Sequence, residues 1–135
     1  MIGFRFAIIG MTLLGLAINC PAEIRPYQKG DKEHGYASWY GADSGTKTAS
    51  GEKFDQESLT GAHRYLPFNS IVRVTNKLNG LSVEVRINDR GPWGKSRVID
   101  ISESAAKILK MKGAGIVPVD LVVLTVGKSQ LKKAK

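Results

Sequence analysis

Short stretches in which apolar and polar residues alternate are the main pattern between residues 35 and 126, and this period of two is typical of β-strands. The stretches that we interpret as strands are residues 35–40, 71–75, 81–87, 97–101 and 117–126. Asn79 and Gly80 lie between the second and third of them. Because both residue types tolerate positive φ, this pair predicts a tight turn that joins two strands as a hairpin.

A single helix is expected at residues 102–110, where the apolar spacing changes. Ser102 is a suitable N-cap, Glu103 follows in the first turn and Gly113 comes after the end. Residues 43–52 are rich in Gly, Ser and Thr and are predicted as a loop, and Asp55 is predicted to cap one helical turn over 55–59. Many short strands with one helix indicate a small closed barrel.

The N-terminal segment has the pattern of an export signal, which we assign to residues 1–19. Arg5 is its lone charge, and the apolar run 6–18 is too short for a membrane span but suits a signal peptide. Cys20, the only cysteine, follows directly, and this arrangement resembles a bacterial lipobox, although Asn19 stands where Gly, Ala or Ser is usual. We therefore predict lipid anchoring to a membrane through Cys20. The alternative is cleavage after Ala22, which gives a soluble secreted protein.

The rest of the chain divides into a tether at 20–34, one folded domain at 35–126 and a basic tail at 127–135.

The net charge is +8. For an exported protein this charge suits an acidic wall polymer or anionic lipid rather than nucleic acid. The alternative is that much of the charge lies in a solvated tail, whose lysines are Lys128, Lys132, Lys133 and Lys135.

Asp89 is the first candidate for chemistry. It comes at the end of an alternating strand and directly before Arg90 and a Gly-Pro turn. A carboxylate held at a strand end can act as a general acid or base. The alternative is that Asp89 only caps the turn and pairs with Arg90.

Six motifs read together resemble one family. They are GYASWYG at 35–41, TASGEKFD at 48–55, LTGAHRYLPF at 59–68, VRVTN at 72–76, NDRGP at 88–92 and RVIDIS at 97–102. In this order and spacing they closely resemble the rare lipoprotein A (RlpA) family of bacterial cell-envelope proteins. The resemblance implies a mainly β fold, a six-stranded double-psi β-barrel with one short α-helix, which expansins also have. For some members it also implies lytic transglycosylase activity on peptidoglycan.

The family's catalytic positions fall on Glu52, His63 and Asp89. A lytic transglycosylase needs one carboxyl group that first protonates the leaving oxygen and then accepts a proton from the sugar's C6 hydroxyl. Asp89 is our candidate for that group, and its pKa would have to be raised, either by burial or by a neighbouring carboxylate such as Glu52. His63 is expected to orient a carboxylate or bind the sugar. The alternatives are a solvated Glu52 and a purely structural His63.

Further residues are candidates for substrate binding. Asp100 corresponds to an aspartate that matters in expansin-like barrels, with helix capping as its alternative role. Arg90 lies beside the proposed acid, and Tyr40, Tyr65 and Trp93 offer rings that can stack on sugars or fill the core. One histidine in the domain and no cysteine argue against a zinc site, and no cofactor is expected.

The expected function is therefore cleavage of MurNAc–GlcNAc β-1,4 bonds in peptidoglycan glycan strands, with formation of 1,6-anhydro-MurNAc. We expect a monomer in the bacterial cell envelope, anchored to a membrane and facing the cell wall or periplasm. Many family members carry a C-terminal SPOR domain, and we expect none because residue 135 closely follows the last predicted strand. The alternatives are a non-catalytic, expansin-like wall-binding or wall-remodelling module, and a structural lipoprotein that binds another envelope protein.

Overall fold

The computed structural model describes residues 25–41 and 45–128. The predicted signal peptide, Cys20 and residues 129–135 of the predicted tail lie outside the described residues. The elements are β1 (Lys32–Tyr40), β2 (Thr60–Ala62), β3 (Ile71–Asn76), β4 (Ser82–Asp89), β5 (Arg97–Ser102), α1 (Glu103–Ile108) and β6 (Ile116–Thr125). Within the described ranges, no helix is long and apolar enough to cross a membrane.

The six described strands form a closed barrel in the order β1-β5-β2-β4-β3-β6, with β6 paired back onto β1. The pairs β1–β5 and β2–β4 are parallel, and the other four pairs are antiparallel. A parallel pair cannot be joined by a tight hairpin, so the chain crosses over between its two strands. This architecture confirms the expected small six-stranded barrel with one short helix.

The barrel interior is filled by the alternate apolar side chains that the sequence pattern identified. In β6, every second residue from Val117 to Val123 is buried, and the residues between them are partly exposed. The same alternation buries Val83, Val85 and Ile87 in β4. Because successive side chains of a strand point to opposite faces, the residues between them lie on the outer face of the barrel, among them Glu84 and Arg86 of β4 and Asp120 of β6.

Helix α1 begins as predicted and ends slightly earlier. The Ser102 hydroxyl accepts a hydrogen bond from the Ala105 N–H group at 3.4 Å, which makes Ser102 the N-cap. At the other end, the side-chain amides of Asn76 and Asn79 both donate to the Leu109 carbonyl at 3.0 Å. These bonds join the end of the helix to the hairpin.

The predicted hairpin is confirmed. Strands β3 and β4 pair antiparallel, with Val74 opposite Val83. Of the Asn79–Gly80 pair, only Gly80 adopts a positive φ, at 76°. Its N–H group donates to the Asn76 carbonyl at 2.8 Å and closes the turn.

The N-terminal boundary of the domain differs from the prediction. Strand β1 begins at Lys32, and Gly30 and Asp31 already exchange backbone hydrogen bonds with Val123 of β6 at 2.7 and 2.8 Å. The Tyr27 side chain packs against the core. Residues 25–34 therefore belong to the folded domain and not to a tether. The charged residues at 31–33 do not show the alternating pattern of a strand. Glu33 is partly buried because it is hydrogen-bonded to Tyr27 and His63, and these contacts cannot be read from the sequence.

Two local features differ from the prediction. Residues 55–59 form a single hydrogen-bonded turn and no helix: the Ser58 N–H group donates to the Asp55 carbonyl at 3.2 Å, and the Asp55 carboxylate accepts from the Glu57 N–H group and the Ser58 hydroxyl at 2.9 and 2.8 Å. Strand β2 was not predicted. It has three residues, all buried between β4 and β5, so it is too short and too enclosed to show an alternating pattern.

Candidate active site

Four neighbouring strands bring two aspartates to the same part of the barrel. In the strand register, Asp100 of β5 lies opposite Ser38 of β1 on one side and Ala62 of β2 on the other. Ala62 in turn lies opposite Asp89 at the end of β4. A cavity of about 230 Å³ lies here, lined by Tyr40, Lys47, Thr48, Phe54, Ala62, Asp89, Arg90 and Asp100. Ala62 thus lies between the two aspartates in the strand register and also lines the cavity.

The Asp89 carboxylate is held by backbone groups. Its Oδ1 atom accepts hydrogen bonds from the N–H groups of Ala49 and Arg90, each at 2.8 Å. Its Oδ2 atom has no hydrogen-bond partner among the described residues. One oxygen thus fixes the orientation of the group, and the other is available for proton transfer.

The Asp100 carboxylate is held by side chains. Its Oδ1 atom accepts from the Ser38 hydroxyl and from Nη1 of Arg97, the latter at 3.2 Å. The same Nη1 atom also donates to Oγ of Ser38 at 2.7 Å. The Asp100 side chain is 19% exposed, so it is largely enclosed but still reaches the cavity.

Glu52, a predicted catalytic residue, does not line this cavity. Its two oxygens bind Nη1 and Nη2 of Arg86 at 2.6 and 2.8 Å, and Asn88 donates to it at 3.3 Å. The hydrogen bond from Arg86 keeps the pKa of Glu52 below its ordinary value. Glu52 thereby fastens the loop at 45–52 to the outer face of β4, and the same loop supplies the Ala49 N–H group that holds Asp89.

His63, the third predicted catalytic residue, is 2% exposed, and its ring is fully hydrogen-bonded. Nδ1 accepts from the N–H groups of Tyr65 and Leu66 at 3.1 and 3.0 Å. Because Nδ1 is an acceptor, Nε2 carries the proton and donates to Glu33 at 3.0 Å. The ring lines a separate cavity of about 110 Å³, so only the His63 backbone N–H group, which donates to the Asp89 carbonyl at 3.2 Å, contacts the candidate acid.

Glu33 links His63 to the N-terminal segment. Its other oxygen accepts from the Tyr27 hydroxyl at 2.7 Å. Burial acts to raise the pKa of Glu33, but the hydrogen bonds from His63 and Tyr27 outweigh it and lower that pKa. Burial also raises the pKa of Tyr27. The group therefore combines a carboxylate with two neutral donors.

Two arginines shape the loops around the cavity. Arg90 donates to the carbonyls of His63 and Leu66 at 3.2 and 2.9 Å, and its guanidinium lies 3.9 Å from the centre of the Phe68 ring. Burial lowers the pKa of Arg90. Arg64 donates to the carbonyls of Pro92, Gly94 and Arg97. Arg90 was predicted to bind substrate. It borders the cavity, but its guanidinium is hydrogen-bonded to the turn at 63–66.

The aromatic candidates fall into two groups. Tyr40 lines the cavity and packs on Phe54 with ring centres 5.0 Å apart. Burial raises the pKa of Tyr40 to about 12, and the negative charge of Asp89 contributes to this shift. Trp93 and Tyr65 are 78% and 73% exposed and lie outside the cavity. Their rings are open to solvent.

Sequence reasoning missed four residues that hold the site: Ser38, Arg64, Arg86 and Arg97. Arg86 gave a partial signal, because it lies on the polar face of an alternating strand two residues before Asn88. Ser38 and Arg97 are 59 residues apart, and no sequence pattern links them. Among the residues that the structure describes, no group of three or more His, Cys, Asp or Glu side chains is placed to hold a metal ion.

Solved structures of other proteins share this fold. The Streptomyces papain inhibitor superposes with a TM-score of 0.60 at 21% identity, covering 71% of this chain and 96% of the inhibitor. An expansin of Clavibacter michiganensis superposes with a TM-score of 0.58 at 20% identity, covering 73% of this chain and 53% of the expansin. At such identities the likeness shows the double-psi barrel alone.

Sequence relatives are much closer. The probable endolytic peptidoglycan transglycosylase RlpA of Nostoc sp. is 55% identical over 93 residues, which are 67% of this chain and 25% of the relative. The endolytic peptidoglycan transglycosylase RlpA of Campylobacter jejuni is 46% identical over 101 residues, 74% of this chain and 37% of the relative. The chain thus spans between a quarter and two fifths of the length of these two relatives. A family model described as "Lytic transglycolase" matches residues 32–121, and the chain therefore belongs to the RlpA family of double-psi barrel lytic transglycosylases.

Proposed function

We propose that this protein is a lytic transglycosylase that cleaves the MurNAc–GlcNAc β-1,4 bond of peptidoglycan glycan strands. The observation that carries the proposal is the pair of carboxylates in one cavity, with Oδ1 of Asp89 held by two backbone N–H groups and Oδ2 unbonded among the described residues. A positioned carboxyl group with one available oxygen suits an acid that later becomes a base. The names of the relatives support the same activity.

In the proposed reaction, the proton on Oδ2 of Asp89 moves to the glycosidic oxygen as the bond from that oxygen to C1 of MurNAc breaks. The C6 hydroxyl of the same MurNAc then attacks C1, and its proton moves to the Asp89 carboxylate. The products are a 1,6-anhydro-MurNAc end and a free GlcNAc hydroxyl, and Asp89 regains its proton. No water is consumed. The negative charge of Asp100 stabilises the positive charge that develops at C1 in the transition state.

Glu52 and His63 serve this reaction as positioning residues. Glu52 holds the loop whose Ala49 N–H group binds Asp89, and His63 holds the turn at 63–66 through its ring and contacts the Asp89 carbonyl through its backbone. Both effects reach Asp89 through the backbone. Loss of either side chain therefore weakens turnover by displacing the acid.

The substrate-binding groups are Tyr40 and Asp100 in the cavity, with Arg90 at its border and Trp93 beyond it. The exposed Trp93 ring offers a flat apolar face for a sugar. The net charge of +8 favours attraction to a wall polymer that carries peptide carboxylates.

Product analysis tests the proposal. Purified peptidoglycan sacculi are digested with the protein and the released fragments are measured by mass spectrometry. We expect muropeptides that end in 1,6-anhydro-MurNAc, each lighter by one water than the hydrolysis product. Reducing ends in place of anhydro ends would show a hydrolase and contradict the proposed chemistry.

A second candidate is a non-catalytic glycan-binding module. The specific observation that favours it is that Glu52 and the His63 ring are both bonded within the structure, while Trp93 and Tyr65 are exposed. Binding to sacculi without any released product, and equal for wild type and Asp89→Asn, is the result that favours this module.

The proposed location is the cell envelope, with a lipid anchor on Cys20. The support is the lipobox-like sequence around Cys20 and the envelope polymer named for the relatives. Metabolic labelling with a fatty-acid analogue should label wild type and leave Cys20→Ala unlabelled. Equal labelling of the two proteins, or none in either, would contradict the anchor.

A further inference from the structure

Asp100 is oriented by two side chains, Ser38 and Arg97, to which the sequence analysis assigned no role. Arg97 and Ser38 both direct hydrogen atoms at its Oδ1 atom, and Arg97 also donates to the Ser38 oxygen at 2.7 Å. Because Ser38 accepts from Arg97, its own hydroxyl hydrogen is left to donate to Asp100. The three groups thus form a closed triangle of hydrogen bonds, while Oδ2 of Asp100 has no partner among the described residues.

The barrel itself holds this triangle in place. Strands β1 and β5 run parallel with Ser38 opposite Asp100, so the register fixes two of its three members. The Arg97 carbonyl accepts from Nη2 of Arg64 at 2.9 Å. The Arg97 guanidinium packs over Gly94, where a Cβ atom would lie 3.2 Å from Nε. A larger residue at 94 would therefore push the guanidinium away from Asp100.

The charged groups near Asp100 show which cation holds its carboxylate. The cavity is lined by two cations, Lys47 and Arg90, and by Asp89 as its other carboxylate, whereas Arg97 reaches Asp100 from outside the lining. Arg90 is bonded to the carbonyls of His63 and Leu66. Arg97 is the guanidinium that contacts the Asp100 carboxylate directly, at 3.2 Å.

We propose that Arg97, together with Ser38, is a positioning residue for the reaction, acting through Asp100. This inference rests on the proposed function. Arg97 holds the Asp100 carboxylate so that its free oxygen and its charge are fixed relative to Asp89 before substrate binds. Such fixed charge acts on the transition state more than on the bound ground state, so the loss of Arg97 lowers kcat more than it raises KM.

A double-mutant cycle tests whether Arg97 acts through Asp100. Turnover of purified glycan strands is measured for wild type, Arg97→Ala, Asp100→Asn and the double variant. We expect Arg97→Ala to lower kcat roughly ten- to a hundredfold, as expected when a reacting group is misplaced. In the Asp100→Asn background, the same change should cost less than about twofold, because the group it positions is already gone. Equal losses in both backgrounds would overturn the inference.

The matched control is Arg73→Ala, which also removes one arginine from an ion pair on the outer face of the barrel, here with Glu84 of β4 at 3.4 Å. Its kcat should equal that of wild type. Added guanidinium chloride at millimolar concentration should partly restore kcat of Arg97→Ala and leave Arg73→Ala unchanged. Thermal melting of each variant accompanies the kinetics. A loss of kcat that follows the melting temperature and resists guanidinium would show a merely structural role.

The experiment also separates this inference from the proposed function. If wild type releases no anhydro products, the proposed function fails, and the cycle is measured as affinity for a purified tetrasaccharide of the glycan strand. Coupling between Arg97 and Asp100 in that affinity supports the positioning role. Additive losses of affinity would overturn it.

Discussion

Asp89 and Asp100 share a cavity but are held by different kinds of groups. Asp89 is bound at Oδ1 by two backbone N–H groups, whereas Asp100 is bound by the side chains of Ser38 and Arg97. The N–H groups of Ala49 and Arg90 stay in place when only the side chain of residue 89 is changed, so an isosteric replacement there can keep the same orientation. Asp89 is therefore the better position at which to separate proton transfer from geometry.

For Asp89→Asn we expect the loss of turnover with little change in fold or glycan binding. The amide oxygen still accepts from Ala49 and Arg90, while the group that carried the proton is gone. The rate of release of anhydro muropeptides should fall on the order of a hundred- to ten-thousandfold. The control Asp120→Asn changes an aspartate on β6 that bonds to His34, and it should keep wild-type turnover. Turnover of Asp89→Asn near the wild-type rate would exclude Asp89 as the acid.

Glu52 predicts how stability changes with pH. Its pKa is lowered in the folded state by Arg86, so its contribution is present above its ordinary pKa and is lost as pH falls through the lowered value. The side chains of Arg86 and Glu52 are both more than a third exposed, so the ion pair contributes about 1 kcal/mol or less to the free energy of unfolding. Melting curves between pH 7 and pH 3 should show Glu52→Gln less stable than wild type at pH 7, with the difference shrinking below about pH 4. A constant difference over this range would contradict the ion pair as its cause.

Among the elements, the turn at 63–66 braces the site. His63 binds the N–H groups of Tyr65 and Leu66 through Nδ1, and Arg90 binds the carbonyls of His63 and Leu66. The turn thus has its donors and acceptors satisfied by side chains from two different segments. The His63 N–H group of this turn also donates to the Asp89 carbonyl, so a displaced turn would displace Asp89 as well.

His63→Ala should therefore destabilise the domain, since it leaves two backbone N–H groups without their acceptor. The expected cost is about 1–3 kcal/mol, or a fall in Tm of roughly 4–8 °C per kcal/mol for a domain of this size. His63→Asn is the matched variant, because its amide oxygen can take the place of Nδ1 and should recover part of the loss. If His63→Ala melts like wild type but loses turnover, then the ring has a direct catalytic role.

The sequence pattern reveals those elements whose two faces differ. In strands β3, β4 and β6 buried and exposed side chains alternate, because one face of each strand is buried and the other faces solvent. The Asn79–Gly80 turn is recognisable from its two residue types alone. Strand β2 is buried on both sides, and the start of β1 carries charges that long-range bonds satisfy, so neither shows that pattern.

The same limit applies to the site. Asp89 was predictable because it ends an alternating strand. The contact of Arg97 with Ser38 depends on the parallel pairing of β1 with β5, which is a property of the barrel and not of any local segment.

At the scale of the whole molecule, the barrel closes where β6 returns to β1. The first residues of β1 lie in this seam, with Lys32 opposite Val122 and His34 opposite Asp120. Glu33 connects the seam to His63 and Tyr27. The N-terminal segment is thus structurally tied to the turn that braces Asp89.

Two truncations test this closure. A protein that begins at residue 25 should keep the wild-type Tm and turnover, because it retains the whole seam. A protein that begins at residue 35 loses the Tyr27–Glu33–His63 bonds and the first part of the β1–β6 pairing. Since each lost hydrogen bond costs about 0.5–1.5 kcal/mol, its Tm should fall on the order of 10 °C or more. Circular dichroism melting of both proteins provides the measurement. Equal melting temperatures would show that residues 25–34 are a tether after all, and that the bonds of Glu33 do not stabilise the barrel.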